Sequence, residues 1–480
     1  MWERFSYYGM RSLLVLYLIN SLSYSREQAL SLYSVYTGLV YLTPIFGGAI
    51  ADKYLGKRRA LLVGAFLMVL GHFCMTFESL LYVALGLLIV GNGFFKPNTA
   101  SLVGDLYSKD EEGKRQGGYS VFYMGINLGA FLAPLVAGTL GETYGWGYGF
   151  ACAGFGMTFG LTQLLMGQHK LGRAGLKDDQ KEIDFSDSRM LLIWISCSVA
   201  LVFSVIYGYQ LLIPFIDFLT KLQKILIALV FLIIVLGYLL NSHSKSRNIT
   251  IHEATNSSQA DLNNYMNKSD WFKVISLCIV MLFVIVFWTG FEQAGGTMTL
   301  FADKNTNREI FGFLIPSSSF QAINPALIIL LAPLFSVIWI KLDGTKFALS
   351  DVVKQALGMI TLGLGFLIMA HAQNMANTVG IVGPQWLVMV YTVHTLGELM
   401  LSPVGLSMVS RVAPAKLGAL LMGVWLLSNA VAGYLAGSLE SLLKDSGYSL
   451  YPFLAVVSIL AGVTLICISP YLNRMMVSEK

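Results

Sequence analysis

The chain has 480 residues, of which 55% are hydrophobic and only 12% carry a charge. A soluble globular domain carries charge on about a quarter of its residues, so this composition excludes a soluble protein and predicts a polytopic membrane protein of the all-α class. The net charge of +5 does not indicate a nucleic-acid partner, because basic residues in membrane proteins mainly record topology.

Apolar runs near twenty residues in length predict fourteen transmembrane helices. In chain order, these helices cover residues 1–20, 27–51, 58–77, 79–105, 117–141, 146–168, 190–209, 222–240, 273–301, 310–341, 352–372, 384–411, 417–443 and 449–473. If the N-terminus is cytoplasmic, most Lys and Arg residues fall in cytoplasmic loops, so we predict that both termini are cytoplasmic. The basic residues expected on the opposite side are Arg26, Lys221, Lys224, Lys304, Arg308 and Lys444.

Two polar stretches, 169–189 and 241–272, interrupt the series of helices. We therefore predict an N-terminal six-helix bundle over 1–168, a linker with two extra transmembrane helices over 169–272, and a C-terminal six-helix bundle over 273–480. Two six-helix halves around a central cavity are typical of transporters built from repeats, in which the substrate binds near the bilayer midplane.

The first predicted helix begins with three charges and two phenols that share one face about 140° wide. These residues are Glu3, Arg4, Tyr7, Tyr8 and Arg11. A charge at bilayer depth costs several kcal/mol unless it faces a wet or paired interior, so this face is predicted to line a cavity. The alternative is a solvated helix end at the membrane surface. It is disfavoured because only residues 12–25 separate this turn from Arg26, which is too short for another span.

Three further charged residues, Lys96, Glu292 and Glu398, lie deep in apolar spans. Lys96 stands about sixteen residues into its span, beyond easy reach of either surface, although a snorkelling lysine beside a kink at Pro97 is the alternative. Glu398 follows His394 by four residues, so the two share a helix face, and His394 is a candidate for proton movement.

These buried charges also indicate the cargo. A carboxylate without a partner in such a cavity takes up a proton, whereas one beside Arg or Lys stays ionised, so a switch between the two environments carries a proton. Free bases suit a carboxylate and a free Glu suits an ammonium group, which together predict a zwitterionic cargo. Neutral side chains that can line the cavity, each equally well explained by helix packing, are Tyr41, Tyr123, Asn127, Ser317, Gln321, Asn324, Trp425 and Asn429.

The run from Glu3 to Gly9 resembles the helix 1 signature of the proton-dependent oligopeptide transporters, the POT family of the major facilitator superfamily. Further matching motifs, in chain order, lie at 48–59, 96–98, 122–129, 291–293, 320–325 and 397–403. Several long motifs in order make this resemblance specific, and the extra helix pair is similar to that of bacterial members. The resemblance implies the major facilitator fold and a protein of the bacterial inner membrane that functions as a monomer.

The resemblance further implies proton-driven uptake of di- and tripeptides by alternating access, with no cofactor besides the proton gradient. Arg4, Arg11 and Lys96 would bind the peptide carboxylate and Glu398 the peptide amine. The full implied substrate-binding set is Arg4, Tyr7, Arg11, Tyr41, Lys96, Asn127, Asn324, Glu398, Ser402 and Trp425. Arg11 with Glu292 would close an outer gate and Lys96 with Glu398 an inner one, while the implied proton-coupling and gating set is Glu3, Arg4, Arg11, Lys96, Glu292 and Glu398.

Two other functions stay open at this stage. Related carriers move nitrate or other small anions, although such a carrier has little use for an amine-binding Glu398. An integral-membrane enzyme is a remote alternative, because the sequence has no Ser-His-Asp set and no phosphate loop. No metal-ligand spacing is present either, since the five cysteines lie singly in apolar spans.

Overall fold

In a computed structural model of the chain, residues 1–107, 111–176, 268–414, 417–444 and 446–476 are described. The seventh and eighth predicted helices lie outside these residues, as does most of the predicted linker. The division of the chain into three parts therefore stays a prediction.

The described residues up to 176, here called the N-terminal half, form seven α-helices that make six long segments, and those from 268 onward are here called the C-terminal half. They are α1 (Trp2–Asn20), α2 (Arg26–Ile50), α3 (Lys57–Cys74), α4 (Leu81–Asp105), α5 (Glu112–Ala133), α6 (Thr139–Tyr144) and α7 (Trp146–Gly167). A single wide π turn, Pro134–Gly138, joins α5 to α6 in one segment, and another, Ala51–Leu55, extends α2. Ser25 caps α2 with a reciprocal capping box, which fixes where that helix begins.

The C-terminal half also makes six long segments. Its elements are α8 (Lys268–Phe291), α9 (Thr297–Asn305), β1 (Glu309–Ile310), β2 (Phe313–Leu314), α10 (Ile323–Leu342), α11 (Asp351–Val379), α12 (Gln385–Val412), α13 (Gly418–Lys444) and α14 (Leu450–Met476). The 3₁₀ turn Glu292–Gly295 lies between α8 and α9, and the 3₁₀ turn Ser317–Ala322 precedes α10. The 3₁₀ turn interrupts the helix predicted over 273–301 at the position of Glu292.

Among the described residues, ten helical segments are long and apolar enough to cross a membrane. The other two long helices, α1 and α3, each carry three charged residues, which in α3 are its first three residues and in α1 are Glu3, Arg4 and the mid-helix Arg11. This pattern confirms the predicted all-α polytopic membrane protein, because closed helices satisfy their own backbone hydrogen bonds in lipid. The twelve long segments correspond to the twelve helices predicted outside the inserted pair.

The helix predicted over 310–341 is wrong in its first part. Residues 309–314 form an antiparallel hairpin in which Ile310 pairs with Phe313. Phe311 and Gly312 both have positive φ, at 52° and 79°, as the turn of a two-residue hairpin requires. The apolar run resembled a helix, but this turn and Pro316 delay the helix until residue 323.

Small residues bring the two halves together along α2 and α13. A Cβ atom on Gly437 would lie 2.3 Å from the Leu30 carbonyl oxygen, so only glycine permits this approach. One turn earlier, Thr37 donates a hydrogen bond to the Gly433 carbonyl at 3.1 Å. Close backbone contact through small residues is how transmembrane helices pack without a hydrophobic driving force. This seam holds the halves in register beside the buried charges.

Candidate functional site

Four of the five residues on the charged face of α1 are buried in the structure, and Tyr8 is half-buried. Arg4 makes a two-pronged ion pair with Glu3, in which its Nε lies 2.6 Å from Glu3 Oε2. The same guanidinium donates to Asn92 Oδ1 at 3.3 Å, and Asn92 in turn donates to the Val40 carbonyl at 3.0 Å. Arg4 is thereby connected to both α4 and α2. A bidentate partner and a further acceptor satisfy a charge that is almost excluded from solvent.

Arg11 bridges the two halves of the molecule. Its Nη2 donates to Glu292 Oε2, and its Nε donates to the Tyr33 hydroxyl at 2.8 Å. Arg11 is 8% exposed and Glu292 is 4% exposed, so the pair is sheltered from water. The 3₁₀ turn that carries Glu292 brings its carboxylate from the C-terminal half to a base on α1. Removing one partner would leave the other as an uncompensated buried charge.

Gly295 gives Tyr33 room to reach Arg11. A Cβ atom at position 295 would lie 2.0 Å from the Tyr33 hydroxyl and 3.1 Å from Arg11 Nε. Sequence reasoning missed Tyr33 as a partner of this pair. The available signal was its spacing from Tyr41, since positions 33, 37 and 41 follow one face of α2.

Lys96 and Glu398, here called the open pair, are not joined to each other. The Lys96 ammonium lies over the ring of Tyr41, 4.0 Å from its centre, and makes no ion pair with any residue in the described ranges. The Glu398 carboxylate accepts a hydrogen bond from Asn324 Nδ2 at 2.7 Å, and no base of the described part of the chain pairs with it. Asn324 also donates to Thr395 at 3.1 Å. Both charges are half-buried and therefore available to a ligand.

The open pair belongs to the same constellation as the α1 charges. Tyr8 lies within electrostatic range of Arg4, Arg11, Glu292 and Glu398. Lys96 lies within electrostatic range of Glu3, Arg4, Arg11 and Glu292. The structure thus brings every buried charge singled out in the sequence to one region between the halves. Acids and bases are present there in equal number, so partners can be exchanged.

The neutral residues predicted to line the site are placed less uniformly. Tyr7 is buried against Arg4 and Tyr8, and its hydroxyl has no hydrogen-bond partner among the described residues. Asn127 donates to the Tyr123 carbonyl within its own helix. Trp425 is buried, with its indole against Gly405 on α12. In this state Trp425 therefore packs between helices.

Other predicted lining residues lie elsewhere. Ser402 is half-buried one turn beyond Glu398 on α12. Gln321 donates to the Thr299 hydroxyl at 2.8 Å. Ser317 donates to Asp303 at 3.1 Å and belongs to the contact between the halves at the end that holds the α1–α2 loop. His394 packs its ring 4.6 Å from Phe366, and its Nε2 has no partner within the described segments.

A second set of contacts joins the halves at the end that holds the α1–α2 loop, here called the closed end. Glu142 on α6 accepts hydrogen bonds from the backbone amides of Ser317 and Ser318, at 2.7 and 2.8 Å. It therefore caps a 3₁₀ turn that belongs to the other half, and Arg308 lies 3.6 Å from the same carboxylate. Two exposed ion pairs add to this end: Arg26 with Glu440 at 2.7 Å, and Lys444 with Glu27 at 3.4 Å. The sequence placed Arg26, Arg308 and Lys444 on this side, but none of these pairings was predicted.

A family model described as POT family matches residues 58–453 of the chain. An uncharacterized transporter, YclF of Bacillus subtilis, is 34% identical over 99% of this chain and 92% of its own length. The peptide transporter YePEPT of Yersinia enterocolitica is 32% identical, with 99% and 93% covered. The di-/tripeptide transporter of Lactococcus lactis is 30% identical, with 99% and 94% covered.

Solved structures of POT family transporters are also similar to this chain. A peptide transporter POT in complex with sulfate matches with a TM-score of 0.79 and 33% identity, covering 99% of this chain and 93% of that one. A POT family transporter in complex with 5-aminolevulinic acid matches with a TM-score of 0.77 and 28% identity, covering 98% and 94%. These similarities extend over the whole length of the chain, including both halves around the buried charges.

Proposed function

Because this chain belongs to the POT family of membrane-embedded peptide transporters, and not to a family of enzymes, we propose that it imports di- and tripeptides together with protons. The observation that carries this proposal is the open pair. Lys96 and Glu398 are a base and an acid without charged partners in the described chain, beside a base and an acid that are paired. A peptide supplies both missing charges.

The peptide termini would occupy the open pair. The ammonium of Lys96 suits the peptide carboxylate and the carboxylate of Glu398 suits the peptide amine. Asn324, which already donates to Glu398, and Tyr41, which lies under Lys96, are next to those termini. The remaining proposed contacts are Tyr7, Asn127 and Asn324 to the peptide backbone and Trp425 to a peptide side chain, and Ser402 belongs to the same binding set.

Proton coupling would act through the acidic residues that form ion pairs with basic residues. A proton on Glu292 would release Arg11 from the other half, and a proton on Glu3 would release Arg4. The freed bases could then share the peptide carboxylate with Lys96. In the opposite state Lys96 would pair with Glu398 and close the inner gate, so that one set of charges serves both gates.

The state described here would be closed to the outside. The distribution of Lys and Arg favours cytoplasmic termini, which puts the closed end, with its contacts from Glu142 and Arg26, on the outer side of the membrane. The relatives are bacterial, and we propose a bacterial inner-membrane protein that functions as a monomer.

The test is uptake of a labelled dipeptide into vesicles that contain the purified protein. We expect accumulation when a proton gradient is imposed, abolition by a protonophore, and competition by dipeptides and tripeptides but not by amino acids or nitrate. Competition by nitrate alone would instead identify a carrier of small anions. Peptide accumulation that does not depend on the proton gradient would contradict symport.

Variants separate binding from coupling in the same assay. We expect Arg4→Ala to lose peptide binding. Glu3→Gln, Glu292→Gln and Glu398→Gln should lose proton-driven accumulation, while any of them that still binds peptide should retain exchange of peptide across the membrane. Unaltered driven uptake in all three Glu→Gln variants would contradict the proposed coupling.

A further inference from the structure

The hairpin between α9 and α10 has an apolar tip that is turned away from the rest of the protein. Phe311 is 97% exposed, Phe313 76% and Leu314 70%. Two-residue hairpin turns are normally built from Asn, Asp or Gly, which tolerate positive φ and suit water. A phenylalanine at positive φ on a fully exposed tip is unfavourable both for the backbone and for contact with water.

A neighbouring loop enlarges this apolar surface. Thr306 pairs with Val382 in a short parallel bridge, and the Asn307 amide donates to the Val382 carbonyl at 2.8 Å. This pairing brings the loop after α11 beside the base of the hairpin. Val379, the last residue of α11, and Ile381 in that loop are also exposed. The surface is here called the apolar rim, and it consists of Phe311, Phe313, Leu314, Val379 and Ile381.

The apolar rim adjoins the long helical segment that the rest of the protein covers least. Of the candidate spans in the described residues, the one that ends in α10 has the smallest buried share, 11% of its most apolar stretch. Its outer surface must therefore face the hydrocarbon core. The hairpin leads directly into this span, so the rim continues the lipid-facing surface of the C-terminal half.

Exposed aromatic residues of the N-terminal half lie at the same end of the molecule as the hairpin. Phe77, in the loop between α3 and α4, and Tyr144 and Tyr148, at the adjoining ends of α6 and α7, are exposed at the closed end, to which the hairpin also belongs. Exposed aromatics at helix ends are typical of the membrane–water interface. Phenylalanine and leucine lack the polar tip of tyrosine, so the rim is suited to a position deeper than this belt, among acyl chains.

We propose that the apolar rim inserts into the lipid leaflet at the closed end and anchors the C-terminal half there. The base of the hairpin is closed by the Ile315 amide, which donates to the Arg308 carbonyl at 2.9 Å. The Arg308 side chain also lies against Glu142 of the N-terminal half. One residue thus joins the lipid anchor to the contact between the halves, so the hairpin holds its half at a fixed depth while that contact breaks and forms. The anchor does not depend on which cargo is carried.

The experiment places a polarity-sensitive fluorophore on the hairpin tip in lipid vesicles. The five native cysteines are replaced by serine, and Phe311→Cys is labelled. Lys444→Cys is the matched control, because it lies in the same half, at the same end, with a strongly exposed side chain. We expect the label at position 311 to emit at shorter wavelength than the label at 444 and to be quenched by lipids that carry a quencher on the acyl chain. Leu314→Cys gives an independent reading.

Two results would overturn the proposal. Labels at 311 and 314 that are quenched by aqueous iodide as strongly as the label at 444, and not by lipid, would place the rim in water. Emission at shorter wavelength that is insensitive to lipid quenchers and grows with the protein-to-lipid ratio would assign the rim to contact with another copy of the chain.

Discussion

The Arg11–Glu292 pair and the open pair use the same kinds of residue in opposite ways. Arg11 and Glu292 are joined in an ion pair that is sheltered from water, and Tyr33 accepts a further hydrogen bond from Arg11. At the open pair, Lys96 lies against an aromatic ring and Glu398 against an amide. A buried ion pair roughly offsets its own desolvation, so neither region needs to favour one state strongly. The comparison indicates that the conformation described here depends on charge partners, and that exchanging these partners would change the free energy little.

The largest expected effect concerns the open pair. Lys96→Ala and Glu398→Gln each remove a charge that has no oppositely charged partner among the described residues, so the main loss falls on the ligand. Losing one partner of a buried charged hydrogen bond costs about 2–5 kcal/mol, which weakens binding roughly thirtyfold or more. Dipeptide affinity by calorimetry checks this. The control is Lys114→Ala, an exposed lysine of the same half, which should leave affinity unchanged.

Breaking the Arg11–Glu292 pair should lower the stability of the protein more than its affinity for peptide. Glu292→Gln leaves the Arg11 charge buried without a carboxylate, and we expect about 3–5 kcal/mol of destabilisation, measured as a lower thermal unfolding temperature. The double variant Arg11→Gln, Glu292→Gln removes both charges and should recover most of this loss, while proton-driven uptake stays absent. A double variant less stable than both single ones would contradict the idea that the unpaired charge causes the effect.

A steric change at Gly295 should distinguish the effect of displacing Tyr33 and Arg11 from the effect of removing a charge. Gly295→Ala brings a methyl group against the Tyr33 hydroxyl, and overpacking of this kind costs about 1–3 kcal/mol. We expect uptake to fall several-fold with all charges intact. Adding Tyr33→Phe removes the atom that clashes and should restore part of the rate. Gly423→Ala, where the added carbon meets nothing within 4 Å, is the control.

The smallest effect is expected at the outermost contact. Arg26 and Glu440 are partly exposed, and such pairs contribute about 0.2–1 kcal/mol. Arg26→Gln should change uptake little at ordinary salt, and any change should vanish at high salt because screening already weakens the pair. If Arg26→Gln reduced uptake as much as Glu292→Gln does, the contribution of an ion pair to the gate would not depend on how deeply the pair is buried.

The sequence predicted the site's charges better than its contacts. Glu3, Arg4, Lys96 and Glu398 stand out because a charge inside a long apolar run has few structural explanations, and that signal is local. The bond between Arg11 and Tyr33 depends on helix packing and on a glycine in a third segment, so nothing local to either residue encodes it.

The fold was predictable for a similar reason. The prediction failed where the hydrophobic pattern was ambiguous. Long apolar runs indicate spans regardless of how the spans pack. The run around residues 310–315 is equally apolar, but the turn at Phe311 and Gly312 folds it into a hairpin. Hydrophobicity alone cannot distinguish a short hairpin from the first turn of a helix, and only the backbone angles resolve it.

The central claim is that the open pair binds the two ends of a peptide, and modified ligands test it most directly. Binding of a dipeptide is compared with that of its C-terminal amide and its N-acetyl form, in the native protein and in Lys96→Ala and Glu398→Gln. We predict that amidation weakens binding strongly in the native protein and hardly at all in Lys96→Ala, and that acetylation behaves likewise with Glu398→Gln. Equal penalties for each modification in native and variant proteins would contradict the account.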